Sequence, residues 1–138
     1  TTIADTTFSD PTKVAGVNTI YEEFHPVVSS DGLTIYWESK NFGIASDSSG
    51  DIYMNRRAST SVAFANTNIV NLASLNCTGI DFPVAVSPNG CTLYFANNEE
   101  TGLGASQNFR LYEAHRPASV PSLVTMTLYI LGTGSVNS

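Results

Sequence analysis

Residues 23–37 read EFHPVVSSDGLTIYW and residues 81–95 read DFPVAVSPNGCTLYF. Laid at an offset of 58, Glu23 meets Asp81, Phe24 meets Phe82, Val28 meets Val86 and Ser29 meets Ser87. Gly32 then meets Gly90, Thr34 meets Thr92 and Tyr36 meets Tyr94. Downstream, DIYMNRR (51–57) matches RLYEAHR (110–116) at an offset of 59, pairing Tyr53 with Tyr112 and Arg57 with Arg116. So many matches in order identify an internal duplication, the signature of a repeat architecture.

Each unit predicts four short strands. The first is FHPVVS or FPVAVS, followed by a tight turn in which Gly32 or Gly90 supplies a positive φ. The second, LTIYWE or CTLYFA, is dense in β-branched and aromatic residues. A polar loop of about a dozen residues (39–50; 97–108) leads to the third, DIYMNR or RLYEAH. A looser fourth strand is expected near 65–72 and 124–131. No stretch has the period of an amphipathic helix, so the chain is expected to be all-β. The second strands are apolar at nearly every position, which calls for cover on both faces. A four-stranded sheet covered on both faces by its neighbours is a propeller blade.

SSDGLTIYW…DIYMNRR and SPNGCTLYF…RLYEAHR resemble the WD40-like PD40 repeats found in the TolB-type propeller. The likeness spans nearly the whole chain, with Ser30, Asn89 and Arg110-Leu111 departing from the usual Pro, Asp and Asp-Ile. It implies two four-stranded antiparallel blades, one about 19–76 and the other about 77–138, in one all-β unit. Propellers close with about 4–8 blades, so two blades leave apolar faces bare. The expectation is a ring closed by oligomerisation, head to tail. Three chains would make the six blades the resemblance implies; two or four chains are alternatives, and so is a fragment of a longer propeller chain. A segment at 8–17 resembles the fourth strand a third time. Either the N-terminal strand within 1–18 exchanges into a neighbouring blade, or the tail at 118–138 leaves the sheet.

Composition narrows the function. The 138 residues carry 6 Lys+Arg against 12 Asp+Glu, a formal charge of −6. That balance is a poor match for phosphate backbones, so no nucleic acid partner is expected. No window reaches the 18 or so apolar residues of a membrane-spanning helix. Scarce lysine, abundant Ser, Thr and Asn, and a start at Thr1-Thr2 suit an exported protein, secreted or periplasmic, or an excised segment. Cys77 and Cys91 are expected near opposite ends of a strand, too far apart to bridge, as two buried thiols.

Candidate site residues follow from the blade reading. Glu22, Glu23 and His25 open one innermost strand and Asp81 opens the other, so a ring would gather negative charge at one channel mouth. They would take a cation or cationic ligand, or else cap backbone N–H groups. Asp47 and Asp51 in SDSSGD (46–51) make a candidate calcium loop without EF-hand spacing, or a solvated turn. Asn41, Phe42, Asn97 and Asn98 lie on the long loops and are candidates for partner contact. The aromatics Trp37, Tyr36, Tyr53, Tyr94, Phe95 and Tyr112 are read as packing between blades, with a sugar platform as the alternative. Asn76-Cys77-Thr78 fits the glycosylation pattern. His25 and His115 stand beside no serine in a nucleophile motif. The function expected is a non-enzymatic binding or scaffolding propeller without a cofactor, calcium aside, that contacts a protein partner. A carbohydrate-binding propeller and a fragment of a propeller hydrolase are the alternatives.

Overall fold

The computed structural model describes residues 8–40, 49–98 and 108–116. They form two antiparallel sheets, with a single 3₁₀ turn, Asn66–Asn68, as the only helix among the described residues. Sheet one runs β1 (Glu22–Val28), β2 (Thr34–Lys40), β3 (Gly50–Arg56) and β4 (Val70–Asn71), in that spatial order. Sheet two runs β5 (Asp81–Val86), β6 (Thr92–Asn97) and β7 (Arg110–His115). The expected fourth strand of the second unit, 124–131, lies outside the described residues, as does the tail at 117–138. In the first unit that strand shortens to two residues, because 66–68 coil into the 3₁₀ turn first.

Both sheets use one local design. Ser29 O accepts from Gly32 N–H at 2.8 Å, and Ser87 O accepts from Gly90 N–H at 2.8 Å. Gly32 and Gly90 both sit at φ 70°, where a side chain would be strained. Asp31 Oδ1 accepts from Ser29 Oγ and Leu33 N–H, at 2.6 and 2.9 Å. Asn89 Oδ1 does the same for Ser87 Oγ and Cys91 N–H, at 2.7 and 3.0 Å. These two hydrogen bonds hold the Asp31 carboxyl below its ordinary pKa, the Ser29 hydroxyl contributing most. Strand register repeats as well: Val27 faces Tyr36 as Ala85 faces Tyr94, and Trp37 faces Tyr53 as Phe95 faces Tyr112. Each first strand carries an irregularity, after Phe24 and after Pro83.

Residues two apart on a strand, and residues directly paired across strands, share a face. One face of sheet one therefore carries Ile35, Trp37, Tyr53 and Asn55. Val17, Phe64 and Ile69 pack on it and bury Trp37 completely. Asn55 Nδ2 ties this cover down, donating to Gly16 O at 2.7 Å and Ala65 O at 2.9 Å. The other face carries Tyr36, Glu38, Ile52 and Met54 and turns toward sheet two. Arg116 Nη2 donates to Tyr36 Oη at 2.8 Å across the junction, and Ser30 Oγ donates to Pro88 O at 2.7 Å. A cleft of about 270 Å³ remains between the sheets, with Tyr36 and Met54 on one side and Leu93 and Ala114 on the other.

Residues 8–18 run irregularly into a turn at 15–17, with Phe8 exposed and Val17 in the core. One expectation needs correcting. The cysteines are unbridged, as expected, but only half-buried: Cys77 lies in the loop ahead of β5, and Cys91 joins the turn to the start of β6. No helix among the described residues is long and apolar enough to cross a membrane.

Candidate functional site

The first strand of each unit is entered through the same small loop. Thr19 N–H donates to Glu23 Oε1 at 3.0 Å, and Cys77 N–H donates to Asp81 Oδ2 at 2.7 Å. The Thr19 hydroxyl donates to the same Glu23 oxygen, and Cys77 Sγ approaches Asp81 Oδ1 at 3.5 Å. Tyr21 N–H then donates to Thr19 Oγ1 at 3.0 Å, as Gly79 N–H does to Cys77 Sγ at 3.3 Å. Thr19 and Cys77 stand at the offset of 58 that relates the two units. Thus Glu23 and Asp81 each hold the chain that leads into their strand.

Asp81 is fully buried. Loss of hydration raises its pKa above the ordinary carboxyl value, and the neighbouring Asp51 charge adds to the rise. The hydrogen bonds from Cys77 and Asn97 pull the other way without reversing it. Asn97 pairs with Asp81 across the β5–β6 ladder, and Asn98 Oδ1 accepts from Ile80 N–H. Asp81, Asn97 and Asn98 therefore form one cluster at the entry of sheet two, while Glu22 and Glu23 lie at the entry of sheet one, opposite Lys40 and Ser39.

His25 has no counterpart in the second unit, where Pro83 occupies its position. Its backbone takes φ 49°, the one positive φ outside glycine among the described residues. Strain of this kind persists only where surroundings hold it. Two contacts do so. His25 Nδ1 lies 2.7 Å from Oε2 of the buried Glu38, and its ring stacks on Phe82 with centroids 4.3 Å apart. The side chain stays half-exposed, so the imidazole is oriented by Glu38 while its other nitrogen is directed away from that contact. Sequence reading named His25 but missed Glu38, which is replaced by Ala96 in the second unit. The signal was there: a lone acid directly after the apolar run Ile35–Trp37 of β2.

Asn41, Phe42 and Asp47 lie outside the described residues. Asp51 Oδ2 accepts from Asn71 Nδ2 at 2.9 Å, beside an open polar depression of about 490 Å³. Among the described residues no three His, Cys, Asp or Glu side chains converge as a metal site. In the glycosylation pattern, Asn76 is engaged on both sides of its amide. Oδ1 accepts from Ile52 N–H at 2.8 Å, and Nδ2 donates to Ile52 O at 3.3 Å and Asn71 Oδ1 at 2.8 Å. That amide acts as a strand mimic on the edge of β3 beside its short pairing with β4.

The aromatics divide by burial. Tyr36, Trp37, Tyr53 and Phe95 are buried, whereas Tyr94 is 42% and Tyr112 38% exposed. Neither a scan against known protein families nor searches of curated proteins and solved structures found a match.

Proposed function

We propose that this chain is a non-enzymatic binding or scaffolding module that assembles with copies of itself into a closed β-propeller, three chains to a ring. In this reading the sheets supply a rigid frame, and the variable loops and channel mouth meet a protein partner. One observation carries it. The face of sheet one that bears Tyr36 and Ile52 is buried, with Tyr36 only 4% exposed, while the same face of sheet two bears Tyr94 and a 75% exposed Leu111. A unit built to be covered on both faces is covered on one. Val84 in β5 and Phe109 just ahead of β7 add further exposed apolar surface, and surface of this kind marks association.

The acidic entry residues suit a frame better than chemistry, since Glu23 and Asp81 both hold loops. His25, oriented by Glu38 and half-exposed, is the side chain we place at the partner-facing mouth. Light scattering across a range of concentrations tests the assembly. The expected mass is a defined multiple of one chain; a single-chain mass at every concentration overturns the reading.

A further inference from the structure

The junction inside the chain uses two groups that the duplication supplies twice. Arg116 N–H donates to Cys91 O at 2.7 Å, and Arg57 N–H donates to Leu33 O at 3.0 Å, so both arginines leave their sheets at the same place. Tyr36 and Tyr94 likewise share a register position in β2 and β6. Arg116 and Tyr36 meet each other. Arg57 and Tyr94 are the halves left over, at opposite ends of the two-sheet unit.

Arg57 is held ready. Nε donates to Gly32 O at 2.9 Å, Nη1 donates to Val62 O at 3.3 Å, and the guanidinium lies 4.6 Å from the Phe64 ring centroid. Its Nη2, the nitrogen that Arg116 uses on Tyr36, has no hydrogen-bond partner among the described residues. Beside Arg57 the cover of sheet one exposes Val62, and on the Tyr94 face sheet two exposes Leu111. Val17, which forms part of that cover, does not obstruct a junction. Its counterpart Leu75 already lies in the cleft between the sheets.

Resting on the assembly reading above, we propose that a second copy of this chain seats the covered side of its sheet one on the Tyr94–Leu111 face, with its Arg57 Nη2 donating to Tyr94 Oη. The contact repeats between chains the one that Arg116 and Tyr36 make within a chain. It is heterologous, so each chain offers one half at each end and the series continues until a ring closes.

Charge placement tests it in the full chain. Tyr94→Arg sets like charges against each other and is expected to reduce the light-scattering mass to that of one chain. Leu111→Asp, at an exposed position, is expected to do the same. Adding Arg57→Glu to Tyr94→Arg is expected to restore the wild-type mass. If the wild type is multimeric and both single variants keep its mass, the pairing is overturned while the assembly reading stands. If the double variant melts like the wild type yet stays a single chain, Arg57 is not the partner. A single-chain wild type whose Tyr94 resists chemical labelling means that the face is covered from within the chain, which overturns pairing and assembly together.

Discussion

Sheet one and sheet two close their turns with matching hydrogen bonds and enter their first strands through matching loops, yet their faces have different surroundings. In sheet one, Tyr53 is buried beneath Val17, Phe64 and Ile69, whereas Tyr112 at the same register is 38% exposed. The difference shows that local sequence sets turn and register, while burial depends on what lies against the finished sheet.

The largest expected contrast cuts the same residue at the same register in both sheets. Tyr53→Ala should cost about 3–5 kcal/mol in urea unfolding, the range for removing a buried aromatic. Tyr112→Ala should cost about 1 kcal/mol, as for a half-covered site. Equal losses would mean that the two sheets are equally enclosed.

Next comes the buried entry carboxylate. Asp81→Ala leaves Cys77 N–H without its acceptor and should cost about 1–3 kcal/mol, whereas Asp81→Asn keeps an acceptor oxygen. The pH dependence has a definite sign. Asp81 has a folded pKa raised above its ordinary 3.8, so it favours folding below that value and loses this contribution as pH rises through the folded pKa. Urea melts from about pH 3 to 7 should show Asp81→Asn gaining on the wild type as pH rises. A gap that stays constant would argue against a buried charge.

The smallest effect exchanges the two loop-holding residues. Cys77→Thr places in the second unit the hydroxyl that Thr19 provides in the first, and stability should change by less than about 0.5 kcal/mol. A larger loss would show that the loops are only superficially alike.

Most of the fold was legible because it depends on short-range pattern. The turns at Ser29–Gly32 and Ser87–Gly90, the dense β2 and β6, and the offset that pairs Tyr36 with Tyr94 are all local features. The fourth strand was less so, since AFANTNIV has the polar spacing of a loop, and only Val70 and Asn71 find a partner on β3. The segment at 8–17 resembles the expected fourth strand at 65–72, but in the folded chain its position is set by Asn55 reaching Gly16 O from another element. At the site, Glu23 and Asp81 were visible as strand-opening acids. Their roles depend on Thr19 and Cys77, four residues earlier, which acquire meaning only when the offset is extended upstream. The pairing of His25 with Glu38 joins neighbouring strands at two positions where the second unit has Pro83 and Ala96, so it follows from the departures from the repeat rather than from the repeat itself.

Footprinting by a small diffusible label, read residue by residue on the wild-type chain, bears most directly on whether both sheets end up covered alike. We expect Tyr94 and Leu111 to be protected as fully as Tyr36 and Ile52 at concentrations where the chain is multimeric, and to become reactive on dilution. Free labelling of Tyr94 and Leu111 at every concentration, with Tyr36 still protected, would contradict that account.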